Sequence, residues 1–385
     1  MSATDKQSYY NHQNLRSQSL DLLRFPLAII IVIVHTFSQN LTLHGTVYSL
    51  NNMPFLTIIN NIIDIFFRGQ SVPIYYFISG YVFFLGGEFT FNKYKEKLKN
   101  RSKTILIPYF AWNIISVLSA LLMFLPIFKS LVPNIHTIEL NFSVQSILQC
   151  FWDNSNSIFA QTENPIWAKI SPHNYALWFI RDLMIVVISA PIIYSLIRKT
   201  RYYLIVVLFT LWFFIGKYSE YGRFDQLLSA FSFFYLGAYF SINKKDMIQI
   251  FSKFFSISII LYITFGISCI FSELYAPEYF YYLKRINIVI GLFLAYNISS
   301  QLITKNICKV NKFLSQSSYF IYLSHALICT SILKLLFIVL KPSNDISMVI
   351  TYLSTVILTI IILLISNYIL IKFFPSLYKL LTGKK

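Results

Sequence analysis

The stretch Leu20, Asp21, Leu22, Leu23, Arg24, followed by ten residues and then His35, sets a cation and an imidazole at a fixed interval in an apolar run. On a helix, the eleven steps from Arg24 to His35 fall about 20° from three full turns and rise about 16.5 Å. The two side chains therefore share a face. A neutral imidazole is cheaper to bury than a carboxylate and accepts a proton near neutral pH. The chemistry this pair suggests is an anion held at one level and a proton moved at another. Packing for His35 and headgroup anchoring for Arg24 are the structural alternatives. No Cys, Glu or second His stands at ligand spacing from His35, so no metal is expected. Ser19 is placed to cap the helix and Pro26 to bend it.

Other groups could contribute. Trp178, Arg181 and Asp182 lie in a run that begins at Tyr175. Neighbours on a helix point about 100° apart, so Arg181 and Asp182 need not pair with each other. Each is expected to face a bundle interior, as an interhelical ion pair or as a substrate contact, with Trp178 as an interface anchor. Tyr322 and His325 stand three apart and share a face, beside Ser318, Tyr319 and Ser324. Ser79 and Gly80 permit close helix approach. Six basic residues between Lys93 and Lys103 serve either cytoplasmic retention or phosphate binding. Cys150, Cys269, Cys308 and Cys329 show no CxxC pairing and read as buried thiols.

The elements that must carry these groups follow from composition. Of 385 residues, 56% are hydrophobic and only 12% charged, which excludes a soluble surface and a disordered chain. With 11 Gly and 4 Cys, collagen-like and disulfide-scaffold classes fall away as well. Ten apolar runs are read as spans: 20–43, 72–85, 105–128, 176–197, 202–215, 227–242, 254–271, 286–303, 318–340 and 346–373. With the N-terminus in the cytoplasm, the inner connections and tails hold 21 Lys and Arg, the outer ones 8, and the spans 3. That bias is the positive-inside pattern, so both termini are expected in the cytoplasm, and the net charge of +17 calls for no nucleic acid. The expected fold is an all-α, polytopic membrane bundle: tail 1–19, a ten-helix domain 20–373 and tail 374–385. The start lacks a signal-peptide cleavage site, so the first span is expected to be retained. Its outer loops are 40–71, where Ile59, Ile62, Ile63 and Phe66 suggest an interfacial or re-entrant helix, and 129–173, which includes the polar run Thr162–Asn164 and Pro165.

The combination resembles the integral-membrane acyltransferase 3 family. The motifs run in order: LDLLRF with Arg24 and His35, FISGY at Phe77–Tyr81, ILIPYFAWN at Ile105–Asn113, ALWFIRDL at Ala176–Leu183, FFYLGAY at Phe233–Tyr239 and SSYFIYLSHAL at Ser317–Leu327. The resemblance implies transfer of an acyl group, usually acetyl, from cytoplasmic acetyl-CoA to a hydroxyl of a surface polysaccharide or lipid-linked glycan. It implies His35 as general base and Arg24 as a holder of the CoA phosphates. Relatives often show two arginines three apart before the third span. Here Arg101 is followed by Thr104 at that offset, with Lys103 adjacent, and Arg101 and Lys103 are carried as the corresponding cofactor-binding residues. Trp178, Arg181, Asp182, Tyr322 and His325 are the acceptor-side or oxyanion candidates. Membrane lipids are expected partners and no metal is expected. Many relatives carry a further extracytoplasmic domain, so a separate envelope protein is a conceivable partner. The implied location is the bacterial cytoplasmic (inner) membrane. A glycan or lipid transporter or flippase using the same polar residues, or a non-catalytic receptor, stands as the alternative.

Overall fold

A helix in lipid turns its apolar face outward and its polar groups inward, the reverse of a helix in water. The long helix Asp345–Phe373 is built that way. Ile346, Ile350, Leu353 and Ile357 recur at intervals of three or four and are exposed, whereas Thr351, Thr355 and Thr359 are buried. The hydroxyls of Thr351 and Thr355 donate to carbonyls four residues back, at 2.7 and 2.8 Å, so they need no partner helix.

The computed structural model describes residues 3–37, 41–43, 46–48, 53–86, 89–125, 140–160, 169–215 and 222–384. Their regular elements are helices and one antiparallel hairpin, β1 (Leu41–Leu43) and β2 (Thr46–Tyr48). The first helices are α1 (Ala3–Phe37), α2 (Pro54–Ile63), α3 (Ser71–Phe83), α4 (Phe91–Arg101), α5 (Ile107–Leu122) and α6 (Val144–Gln149). Next come α7 (Trp178–Ile188), α8 (Ala190–Thr200), α9 (Tyr203–Phe214), α10 (Arg223–Ile242) and α11 (Met247–Ser252). The last are α12 (Phe255–Tyr275), α13 (Pro277–Thr304), α14 (Lys312–Leu340), α15 (Asp345–Phe373) and α16 (Pro375–Thr382).

Among the described residues, six helices are long and apolar enough to cross a membrane: Leu15–Phe37 of α1, the continuous Phe91–Leu122, and α12 to α15. The pair α7 and α8, bent by 61°, adds a seventh if it counts as one span. Helices occur at all ten predicted runs, but α3 and α9 have only 13 and 12 residues, and α10 falls short in apolarity.

Several boundaries differ from the sequence reading for local reasons. The first span stops at Phe37, where the polar Ser38, Gln39 and Asn40 follow, and Leu41–Leu43 pairs as a strand. The fourth predicted span breaks at Ser189 because Pro191, in the first turn of α8, has no N–H to continue the ladder. The basic connection is helix α4: Thr90 caps it by accepting from the Lys93 N–H at 3.3 Å, and its Lys and Glu are good helix formers. The expected tails contain the start of α1 and, after Pro375, helix α16. The expected helix between the first two spans is α2, followed by a π-helical turn at Asp64–Arg68. Thr162–Asn164 and Pro165 lie outside the described residues.

Packing divides the chain into two units, residues 1–85, 233–322 and 328–364, and residues 86–232, 323–327 and 365–385. In the first, α3 and α10 meet through two glycines. A Cβ on Gly80 would lie 2.1 Å from the Phe234 carbonyl oxygen, and one on Gly237 2.0 Å from that of Phe77. Only residues without a side chain allow backbones so near. Arg16 bridges Asp246 at 3.0 Å, and the Ser299 hydroxyl donates to the Ser19 carbonyl at 2.6 Å, tying α1 to the start of α11 and to α13. Asp345 accepts from the N–H groups of Phe55 and Leu56, at 2.5 and 2.9 Å, and so holds the N-terminus of α2.

In the second unit, the Trp112 indole donates to the Leu381 carbonyl at 2.9 Å, which docks α16 on α5. The Tyr94 hydroxyl donates to the Ile188 carbonyl at 2.7 Å, satisfying one of the groups freed where α7 breaks from α8.

Candidate active site

In the first unit the site grows from α1. Arg24, Ala28, Ile31 and His35 follow at intervals of four, three and four on one unbroken helix. Ala28 and Ile31 are buried, while Arg24 and His35 are half-buried at the stripe's two ends. The Arg24 guanidinium pairs with Asp21 at 2.8 Å, and the two side chains are 39% and 35% exposed. A pair so open to solvent contributes about 0–1 kcal/mol, so an anionic ligand can take the place of Asp21 at small cost. The Tyr75 hydroxyl donates to the Arg24 carbonyl at 2.8 Å, which fastens α3 to this turn, and Pro26 lies inside the helix just beyond it. At the other end, Thr36 donates to the Val32 carbonyl at 2.7 Å and its oxygen lies 3.0 Å from the sulfur of buried Cys329. The turn carrying His35 is thereby pinned to α14, and Phe37 packs on Tyr352 of α15 with ring centroids 5.4 Å apart.

In the second unit a polar knot surrounds the start of α7. Arg181 and Asp182 pair, Nε donating to Oδ1 at 2.8 Å, an outcome their 100° separation left open. The long guanidinium folds sideways because its Nη1 donates to the carbonyls of Trp152 and Ile170, at 2.6 and 2.7 Å. Its Nη2 reaches Gln226 Oε1 at 3.4 Å, so four of the five guanidinium N–H groups are engaged. Both side chains are buried, and Asp182 Oδ2 has no hydrogen-bond partner among the described residues. Arg223 lies 4.1 Å over the Trp152 ring and 3.9 Å from Asp153. Trp178, half-buried, is the first residue of α7.

Asn174 ties this knot to α14. Its N–H donates to Asn113 Oδ1 at 3.2 Å, and its Nδ2 to the carbonyl of Leu323 at 3.3 Å, two residues before buried His325. Tyr109 donates to the Phe151 carbonyl, and the His173 N–H to the Cys150 carbonyl at 2.8 Å. Burial pushes the His173 imidazole down to about 4, against the opposing pull of a hydrogen bond to the Ser116 backbone. Its ring packs on Phe159, with centroids 4.6 Å apart. His173 and Asn174 were not among the sequence candidates. Their position directly after Pro172, at the entry to a helix, was the available signal.

The model of a family described as an acyltransferase domain matches residues 17–368. The chain belongs to the acyltransferase 3 family. No curated protein and no solved structure gives a match. Membership makes the chain a multi-pass membrane acyltransferase, and the matched region contains every candidate named from sequence. Within this acyltransferase the candidates fall into separate groups. Arg24, His35 and Tyr322 belong to the first unit, whereas Arg101, Lys103, Trp178, Arg181, Asp182 and His325 belong to the second. The structure gathers Arg181 and Asp182 into one cluster, and that cluster is largely occupied with holding a loop. Of the thiols, Cys150, Cys269 and Cys329 are buried and Cys308 is half-buried.

Proposed function

We propose that this acyltransferase moves an acetyl group from acetyl-CoA, bound from the cytoplasmic side, to a hydroxyl of a surface polysaccharide or lipid-linked glycan in a bacterial cytoplasmic membrane. The observation that carries the reading is the unbroken stripe of α1, which sets Arg24 and His35 on one face with buried Ala28 and Ile31 between them. Arg24 exchanges Asp21 for a CoA phosphate, and the resemblance carries Arg101 and Lys103 as CoA-binding residues as well. The pantetheine arm extends toward the level of His35, about 16.5 Å along the helix from Arg24.

His35 accepts the proton of the acceptor hydroxyl as that oxygen attacks the thioester carbonyl carbon. The tetrahedral adduct collapses with cleavage of the carbon–sulfur bond, and the thiolate of CoA takes the proton from the imidazolium. The products are the O-acetyl ester and CoA. Trp178, Arg181, Asp182, Tyr322 and His325 are the acceptor-side candidates that the resemblance implies. Asp182 brings a buried carboxylate oxygen able to accept from a substrate hydroxyl, and Arg181 acts chiefly by fixing the loop that carries Trp152 and Ile170.

The test is label transfer from acetyl-CoA by the purified protein in lipid, offered glycans from its own envelope, with R24A and H35A alongside. The expected result is labelled glycan with the unsubstituted protein, a raised KM for acetyl-CoA in R24A and loss of transfer in H35A. Near-normal transfer by H35A at equal protein level removes His35 from the chemistry. Absence of transfer across several donors and acceptors, with folded protein, favours a transporter.

A further inference from the structure

Residues 375–384 lie against the basic segment. In α16, Tyr378, Leu381 and Thr382 are buried, and the Trp112 indole holds the Leu381 carbonyl at 2.9 Å. The helix ends at Gly383, whose φ of +66° is left-handed. A Cβ there would stand 2.3 Å from Thr104 Cα and 2.4 Å from the Lys103 carbonyl oxygen, so the chain end touches the backbone of the π-helical turn Ser102–Leu106. Two demands coincide at Gly383, a left-handed conformation and room for a neighbouring backbone, and both favour glycine. The next residue is half-buried Lys384, whose N–H donates to the Thr382 hydroxyl at 3.4 Å.

The segment that leads into Lys103 and Thr104 is cationic. Lys93, Lys97 and Arg101 follow at intervals of four along one face of α4, with Lys97 and Arg101 half-buried, and Glu96 is the acidic neighbour. Like charges at this spacing destabilise a helix, a cost that an anion lying along the ridge removes. A segment seated by a buried helix, an indole hydrogen bond and a glycine contact is placed more firmly than charge retention at a membrane surface requires.

We propose that the C-terminal segment is part of the donor-binding site: Gly383 seats Lys384 over the Lys103–Thr104 peptide, where its ammonium and that of Lys103 hold a phosphate of the acyl-CoA. The proposal rests on the reading of this protein as an acyl-CoA-dependent transferase. Lys384 is a binding residue that touches the donor's nucleotide portion, and α16 positions it. Anionic lipid headgroups offer the same phosphate chemistry, so the donor and the lipid must be separated by the assay.

The experiment measures CoA affinity of the full-length protein in nanodiscs of neutral phosphatidylcholine, and again with anionic phosphatidylglycerol. The variants are K384Q, K384R and Gly383→Val. In neutral discs K384Q is expected to weaken CoA about fivefold at low salt, less at high salt, with K384R restoring it. Gly383→Val, which keeps the charge but loses the seat, is expected to weaken CoA to a similar extent. Binding of pantetheine, which carries no phosphate, should be the same in all four proteins. Unchanged CoA affinity in K384Q and Gly383→Val overturns the assignment while leaving the transferase reading intact, and so does an effect seen only in anionic discs. Failure of the unsubstituted protein to bind CoA at all overturns both.

Discussion

Gly80→Ala is the substitution whose cost follows most directly from the structure. The new methyl carbon would stand 2.1 Å from the Phe234 carbonyl oxygen, 2.9 Å from its carbonyl carbon and 3.0 Å from its Cα. All three atoms are backbone of α10, so no rotamer change relieves the clash. Ordinary contact begins at 3.4 Å, which requires α3 and α10 to separate locally by about 1.3 Å, the difference between 3.4 and 2.1 Å. Overpacking of this kind costs about 3 kcal/mol, and alanine's better helix propensity returns about 1 kcal/mol. The expected net loss is about 2 kcal/mol, read as a fall of several degrees in the unfolding midpoint of the detergent-solubilised protein. A second effect follows from Tyr75, which lies five residues before Gly80 on α3 and donates to the Arg24 carbonyl. Moving α3 loosens the turn of α1 that carries Arg24, so KM for the acyl donor should rise in the protein that remains folded. Equal stability of Gly80→Ala and the unsubstituted protein would refute the glycine contact as the joint between these helices.

Three further outcomes are expected. Arg181→Ala leaves Asp182 as an unpaired buried carboxylate and should cost about 3–5 kcal/mol, whereas the double change Arg181→Met with Asp182→Leu should recover the part due to that charge, with the Trp152 and Ile170 carbonyls still lacking their donor; thermal unfolding decides, and a double variant no better than the single one sinks the argument. Arg181→Ala should also speed proteolysis in the segment 150–174, because the carbonyls of Trp152 and Ile170 lose their donor. His173 is neutral in the folded protein, with its titration lowered to about 4, while in the unfolded chain it protonates near about 6.5. Stability from this group is therefore full above about pH 6.5, falls as the pH drops toward 4, and is flat below; the loss is at most about 3 kcal/mol, and His173→Gln should remove this part of the pH dependence of unfolding.

Much of this architecture could be read from the chain because long apolar runs in a charge-poor sequence have few alternatives to helix. The α1 stripe was legible for the same reason: periodicity alone places Arg24 and His35 on one face. What escaped reading depended on partners remote in sequence. Nothing local to Arg181 says that its Nη1 serves two backbone carbonyls, one of them 29 residues away, or that this bends it onto Asp182. The break at Ser189 was signalled by Pro191 and lost against the surrounding apolar run. Six cations between apolar runs mark an inner connection, yet Thr90 and the Lys-rich composition of α4 describe a capped helix.

The six motifs that carry the family resemblance do unequal work. FISGY and FFYLGAY are the two halves of one glycine joint, for Gly80 meets Phe234 and Gly237 meets Phe77. ILIPYFAWN supplies Tyr109, Trp112 and Asn113, each engaged with a loop or with α16 through a side-chain hydrogen bond. ALWFIRDL holds the Arg181 knot, and SSYFIYLSHAL receives Asn174 at Leu323, beside His325. Only the first motif combines a half-buried cation, loosely paired, with a half-buried imidazole on the same helical stripe. Loss of activity after substitution in the other five therefore reports loss of shape before it reports loss of chemistry. The discriminating experiment compares kcat and KM in Arg24 and His35 variants whose unfolding midpoints are unchanged. A raised KM in one and a lost kcat in the other, at equal stability, separates anion holding from proton transfer in a way that no packing variant can imitate.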